Sequence, residues 1–121
     1  MSKKPNPVKP TTEIKVNGVK YDLLFDFESV ATAEELTDRP LLTGLRSRDY
    51  QSPTIALVRI MLFACLQVNH PEITLAVAKS LVTVKNYREV WTAVLNAWAA
   101  GLAEPDPEED AAAEDFTQGQ N

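Results

Sequence analysis

The stretch EIKVNGVKYDLLFDFESVATAEELT, residues 13–37, decides the expected fold, because it is typical of a β-hairpin that leads directly into a helix. Polar and apolar residues alternate on both sides of Asn17 and Gly18. Asn-Gly is the strongest two-residue hairpin signal, since a type I′ turn needs positive φ angles at both central positions. We therefore predict a turn at Asn17-Gly18 and a first strand with Ile14 and Val16 on one face.

A first helix is predicted directly after the hairpin, over residues 27–36. Asp26 suits its N-cap, because a carboxylate there accepts a bond from a backbone N–H that otherwise lacks a partner. We expect Arg39-Pro40 to end this element, since a residue that precedes proline is disfavoured in the α conformation. The segment LLTGL, residues 41–45, predicts a short helical turn, and RSRDYQS, residues 46–52, predicts a polar loop.

The second predicted helix is the most apolar part of the chain and runs over residues 54–68. Ser52 is its expected cap, with Pro53 at the first helical position, where a missing N–H costs little. Between residues 55 and 66 only Arg59 is charged, a pattern typical of a helix buried on most sides. Either the other elements surround this helix, or part of its surface meets another chain.

Two more helices complete the expected fold. Thr74 is the expected cap of a third helix through residue 82. Asn86 and Glu89 resemble a capping box at the start of a fourth helix, and Gly101 and Pro105 mark its expected end. Its apolar residues recur at helical spacing, and we expect Val94 and Leu95 among them to be structural. These residues are Val90, Trp91, Val94, Leu95, Trp98 and Leu102.

The expected fold is therefore mainly α, with an N-terminal β-hairpin, about four helices and a disordered acidic C-terminal tail. Residues 1–11 predict a flexible, basic, proline-rich arm, and residues 12–103 a single helical domain with the hairpin at its start. Residues 104–121 hold seven acidic residues and no Lys or Arg. The other ten of the 17 acidic residues lie in residues 1–103 with all 12 basic ones, so the body is nearly neutral and the tail is predicted to aid solubility.

The chain shows no pattern of residues that carries catalysis. Cys65 and His70 are its only cysteine and histidine, so no zinc spacing exists, and no glycine-rich phosphate loop occurs. We expect no catalytic residue, no cofactor and no metal site, and therefore no enzyme. The longest apolar run contains Arg59 and is shorter than the roughly 20 residues of a membrane span. No dense basic stripe suited to nucleic acid is present.

Four apolar residues are candidates for a client-binding or oligomer surface, namely Trp91, Trp98, Leu62 and Phe63. The two tryptophans are seven residues apart and share one side of the fourth predicted helix. One interpretation is that they pack in the core. The other is that one of them lines an apolar groove for a partner, because tryptophan is enriched at binding hot spots.

The order of these elements resembles the tail assembly chaperones of long-tailed bacteriophages and related prophages. The resemblance covers residues 14–102 and rests on FDF before a helix that ends in EELT, then PLLTGL, then LFACLQVNHPEIT. It implies a mainly helical protein that holds the aggregation-prone tape measure protein in the host cell cytoplasm during tail-tube assembly and is absent from the mature virion. It also implies the major tail protein and a frameshifted longer form of the chain as further partners, and homo-oligomerisation.

A small helical DNA-binding or anti-repressor-type regulator is the alternative, because the third and fourth predicted helices could form a helix-turn-helix. The second helix of that pair would carry only Lys85 and Arg88 near its start. Phosphate contacts of a DNA-binding helix require more positive charge than this. The chaperone interpretation is therefore preferred.

Overall fold

A two-stranded sheet and five helices make up residues 12–103, which are the residues that the computed structural model describes. The predicted mainly helical fold with an N-terminal hairpin is confirmed. The arm over residues 1–11 and the disordered tail over residues 104–121 are predictions that lie outside the described residues. The elements in chain order are β1 (Thr12–Val16), β2 (Val19–Leu23), α1 (Phe27–Thr37), α2 (Ser47–Gln51), α3 (Ile55–Leu66), α4 (Leu75–Leu81) and α5 (Tyr87–Ala103).

The hairpin forms at the predicted turn. Asn17 and Gly18 have φ angles of 53° and 81°, the positive values that a type I′ turn requires. The strands pair antiparallel with Val16 opposite Val19. Ile14 and Val16, the residues predicted to share one face of β1, are buried, at 7% and 5% exposure, so this face covers the helical core.

Helix α1 has the predicted N-cap, but the residue that ends the helix differs from the prediction. Asp26 Oδ1 accepts a 2.8 Å hydrogen bond from the backbone N–H of Ser29, which confirms the cap. The helix stops at Thr37 because Asp38 adopts the left-handed conformation, with φ 55° and ψ 44°. Such a residue closes a helix C-terminus, so the predicted termination by Arg39-Pro40 is wrong.

Helix α3 lies at the centre of the fold and packs against α1, α4, α5 and β2. These contacts explain its apolar character, because elements of the same chain cover most of its sides. Thr54 Oγ1 accepts a bond from the N–H of Leu57 at 3.1 Å. The cap is therefore Thr54 and not Ser52, and Pro53 precedes the helix instead of opening it.

Helices α4 and α5 start at the predicted residues, but the predicted capping box and the predicted end of α5 are corrected. Thr74 Oγ1 accepts from the N–H of Val77 at 3.2 Å, as a cap of α4 does. Asn86 Oδ1 instead accepts from the N–H of Thr83 at 2.7 Å, so it closes the α4–α5 loop and not the predicted capping box. Gly101 lies inside α5 and does not end it. Glycine suits this position because a Cβ there would collide with the backbone oxygen of Phe25.

Candidate partner-binding surfaces

The described residues hold no arrangement suited to metal binding or thiol chemistry. Within residues 12–103 no group of three or more His, Cys, Asp or Glu side chains could hold a metal ion. Cys65 is buried, and burial raises the pKa of its thiol, which disfavours the reactive thiolate. Among the described helices none is long and apolar enough to cross a membrane.

The four candidate surface residues separate into core and surface positions. Leu62 and Trp98 are 1% and 4% exposed, and the ring centroid of Trp98 lies 5.0 Å from that of Phe25 in an edge-to-face arrangement. Both are core residues. Phe63 is half-buried at the surface of α3. Trp91 is only 5% exposed but borders an open groove.

This groove runs between α2 and the first half of α5, has a volume of about 310 Å³, and is called the α2–α5 groove below. Its apolar wall combines exposed Tyr50 with half-buried Tyr87 and Leu95 around the edge of Trp91. Val94, by contrast, is fully buried. The prediction that both Val94 and Leu95 are structural is therefore confirmed for Val94. Leu95 lines the groove and also packs against the core. The lining residues are Tyr50, Gln51, Ser52, Pro53, Tyr87, Arg88, Trp91, Thr92 and Leu95.

The indole of Trp91 joins the two walls of the groove. Its Nε1–H donates a 3.1 Å hydrogen bond to the backbone oxygen of Tyr50, 41 residues earlier. The buried ring thereby anchors α2 against α5 while its donor is satisfied. On the outer rim, the guanidinium carbon of Arg88 lies 5.5 Å from the ring centroid of Tyr87, within reach of a cation–π contact.

Helix α2 is also held in place by an ion pair. Arg39 Nη2 lies 3.0 Å from Asp49 Oδ2 and also donates to the backbone oxygen of Gly44 at 2.9 Å. The hydrogen bond from Arg39, followed by that from the backbone N–H of Arg46, holds the pKa of Asp49 below its usual range. Asp49 is thus charged at neutral pH, and the α2 wall of the groove is fixed.

The prediction of a polar loop over residues 46–52 is wrong, because Ser47–Gln51 form α2. Asp49 is the residue in the sequence that could have indicated this helix. Its Oδ2 accepts from the N–H of Arg46 at 2.9 Å, as an acidic residue in the first turn of a helix does. Without α2 the sequence could not place Tyr50 next to Trp91.

A second surface lies on α3, where a stripe of residues stays partly open. Arg59, Ile60 and Phe63 are half-buried, with exposed Ala56 and half-buried Gln67 at the two ends of the same stripe. The spacing of three and four residues places them on one helix face. We call this set, Ala56, Arg59, Ile60, Phe63 and Gln67, the α3 stripe.

Arg59 is the unusual member of the α3 stripe. Its Nε is buried and has no hydrogen-bond partner among the described residues. In the same part of the chain the ion pairs are Lys20–Glu13, Arg39–Asp49 and the contact of His70 with Glu72, and none includes Arg59. A buried donor without an acceptor is unfavourable.

Comparisons of the chain with family models, with curated proteins and with solved structures find no match.

Proposed function

We propose that the protein is a tail assembly chaperone that binds apolar helical segments of a tape measure protein and keeps them soluble during tail-tube assembly. The observation that supports this function is the α2–α5 groove, an open surface with two tyrosines, a tryptophan edge and a leucine. The resemblance of residues 14–102 to such chaperones supplies the identity of the client. The proposed setting is the host cell cytoplasm, with the major tail protein and a longer form of the chain as further partners.

The chemistry of the groove fits an amphipathic helix. Helical clients dock an apolar stripe into a hydrophobic groove, and Trp, Tyr and Arg are the residues that most often dominate such contacts. At about 310 Å³ the groove is at the lower end of the roughly 300–1,000 Å³ range of ligand pockets. It therefore suits one or two large side chains of a docked helix.

The rigid walls of the groove favour binding further. The bond between Trp91 and Tyr50 and the ion pair between Arg39 and Asp49 fix α2 before a client arrives. Less side-chain and backbone freedom is then lost on association. The contacts of a client with the apolar side chains of the lining should withstand added salt, whereas exposed charges are screened within about 8 Å at physiological ionic strength.

The test is capture of a co-expressed tape measure fragment by the full chain and by two variants of α5. Leu95→Glu places a charge in the groove. Leu102→Glu is the matched control, because Leu102 lies on the same helix, is 46% exposed and does not line the groove. We expect Leu95→Glu to abolish capture and Leu102→Glu to retain it, at low and at high salt.

Two results would overturn the proposed function. One is that the folded wild-type chain captures no tape measure fragment. The other is that Leu95→Glu captures the fragment as well as Leu102→Glu does, which would place the contact elsewhere. Circular dichroism of each variant shows that a loss of capture does not reflect unfolding.

A further inference from the structure

We propose that a second copy of this chain pairs with the outer edge of β1, so that the two hairpins form one continuous antiparallel sheet. Ile14 lies on the two-fold axis of this pairing, and Glu13 of each copy faces Lys15 of the other. The contact surface is a groove of about 410 Å³ between β1 and α5, called the β1–α5 groove below. It shares Thr92 with the α2–α5 groove but none of the aromatic and leucine side chains that the proposed function uses. The proposal therefore does not rest on client binding.

The backbone hydrogen bonds of Asp22 show which groups of β1 point outward. The N–H of Asp22 donates to His70 Nε2 at 2.9 Å, and its oxygen accepts from Asn69 Nδ2 at 3.3 Å. Both groups thus point away from β1, so Glu13, the residue opposite Asp22, belongs to a pair without mutual hydrogen bonds. Such pairs alternate along an antiparallel ladder, so Lys15 has the same orientation. The N–H and C=O groups of Glu13 and Lys15 therefore point to the edge of β1 that faces away from β2.

The β1–α5 groove shows that this edge is open. Its β1 side is formed by four consecutive residues, 12–15. Side chains of consecutive strand residues point to opposite faces of a sheet, so a groove lined by all four runs along the strand edge. The α5 side is formed by Glu89, Thr92, Ala93 and Asn96, and its short central side chains leave room for another strand. An open edge of this kind readily pairs with a strand of another chain.

The charges on the exposed face of the hairpin identify a second copy as the occupant. Within the hairpin, Lys15 lies opposite Lys20, so two positive charges face each other. Glu13 likewise lies opposite Asp22. Lys20 Nζ reaches Glu13 Oε2 diagonally at 3.6 Å, whereas no ion pair within residues 12–103 includes Lys15. A carboxylate on the open side of β1 gives Lys15 the opposite charge that the hairpin does not supply.

One register of β1 against a second β1 supplies this charge in both copies. If Glu13 faces Glu13, or Lys15 faces Lys15, like charges meet on the two-fold axis, which is destabilising. If Glu13 faces Lys15, the two-fold axis repeats the opposite-charge pair, and both pairs exchange backbone N–H···O=C hydrogen bonds. The surface is then self-complementary, as a two-fold interface requires.

The experiment measures self-association of the full chain by analytical ultracentrifugation, for wild type and for two charge-reversal variants. Lys15→Glu and Glu13→Lys each place like charges across the interface, so each variant alone should be monomeric. An equimolar mixture of the two variants restores both opposite-charge pairs and should form the dimer again. Lys79→Glu is the matched control, because it makes the same charge change at an exposed position of α4, and it should dimerise as wild type does.

Both charge-reversal variants should keep the fold. The side chains of Glu13 and Lys15 are exposed. Lys15→Glu places a carboxylate opposite Lys20. Glu13→Lys places an ammonium group opposite Asp22. Each change thus removes a like-charge pair within the hairpin, so loss of the dimer does not reflect a weakened hairpin, and circular dichroism of each variant checks this.

Hydrogen exchange of backbone amides, measured by NMR, locates the contact. Protection of the N–H groups of Glu13 and Lys15 should increase with protein concentration. The N–H of Ile14, which is bonded to Tyr21 within the hairpin, should be protected equally at every concentration. This internal control separates pairing at the outer edge from a general change in stability.

A wild-type chain that remains monomeric at NMR concentrations would overturn the proposal. A dimer that persists in each variant alone, or a mixture that does not reassociate, would also overturn it, because the contact would then not follow this register. Protection of the two outward amides only after addition of a tape measure fragment would assign the β1 edge to the client instead of a second copy. The measurements on the chain alone involve no client, so their failure is distinct from failure of the proposed function.

Discussion

His70 Nε2 accepts a 2.9 Å hydrogen bond from the backbone N–H of Asp22, across 48 residues of sequence. Asn69 Nδ2 donates to the backbone oxygen of the same Asp22 at 3.3 Å. Both backbone groups of this β2 residue are therefore bound by the segment that follows α3. An unpaired strand edge readily joins another chain, and these two side chains close the β2 edge at this position. The hairpin is thus fixed to the helical core that it covers.

Removing the imidazole should loosen the hairpin. His70→Ala leaves the N–H of Asp22 without its acceptor, and a hydrogen bond of this kind contributes about 0.5–1.5 kcal/mol. We expect the free energy of unfolding, measured in urea, to fall by that amount. His70→Gln is the control, because its side-chain oxygen can accept the same bond. Equal losses in the two variants would show that the ring contact with Tyr21, and not the hydrogen bond, stabilises the hairpin.

Gly18 should be required for its backbone conformation alone. Its φ angle is 81°, and an added Cβ would meet no atom within 4 Å. Gly18→Val should therefore lower stability by roughly 1 kcal/mol or more through backbone strain, because β-branched residues tolerate positive φ poorly. Gly18→Asn should cost less, since asparagine tolerates this region better. An unchanged melting temperature in Gly18→Val would argue against the strained turn.

Gly101→Ala should lower the stability of the fold, although helix propensity alone favours alanine over glycine. In an exposed helix interior, Gly→Ala is favourable by about 1 kcal/mol. At Gly101 the new Cβ would collide with the backbone of Phe25, and overpacking of this kind typically costs about 1–3 kcal/mol. We expect a net loss of stability in thermal unfolding. Ala99→Gly, at an exposed position of the same helix, gives the propensity effect alone, and a stabilised Gly101→Ala variant would contradict the close packing.

The neighbours Val94 and Leu95 should separate stability from binding. Val94 is 0% exposed, so Val94→Ala should lower the free energy of unfolding by roughly 2 kcal/mol. Leu95 is half-buried, so Leu95→Ala should cost less than the about 2–5 kcal/mol of a fully buried leucine. Capture of a tape measure fragment should weaken in Leu95→Ala and persist in Val94→Ala below its melting temperature. The reverse order of capture would remove the α2–α5 groove from the function.

We expect Glu34 to make part of the free energy of unfolding dependent on pH. Its Oε2 accepts from the N–H of Leu41 at 2.7 Å and from that of Leu42 at 3.2 Å. The bond from Leu41, followed by that from Leu42, lowers the pKa of Glu34 from its ordinary value of 4.5. A lowered pKa in the folded state means that the stabilisation is present above 4.5 and is lost as the pH falls through the lower folded value.

A comparison of wild type with Glu34→Gln over this pH range tests the assignment. The amide oxygen still accepts a hydrogen bond but does not titrate. The stability advantage of wild type, measured in urea, should therefore be largest near neutral pH and shrink in acid. A difference that stays constant into strong acid would show that the carboxylate charge contributes nothing at this turn.

The sequence by itself determined the features that depend on local backbone chemistry and on hydrophobic content. The Asn17-Gly18 turn and the Asp26 and Thr74 caps follow from the conformations and hydrogen bonds that these residue types favour. The central position of α3 follows from its apolar composition. Each of these signals lies within a few residues, so no knowledge of distant contacts is required.

Only the tertiary structure decided which apolar residues are core and which are surface. Trp91 and Trp98 share one helix face, yet Trp91 borders the α2–α5 groove, because α2 packs beside it through Tyr50, whereas Trp98 packs against Phe25. In the sequence, Gly101 indicates a helix end. In the fold it is a packing residue, because the backbone of Phe25 lies against it. These roles depend on contacts between residues far apart in the chain, and periodicity within one helix does not contain that information.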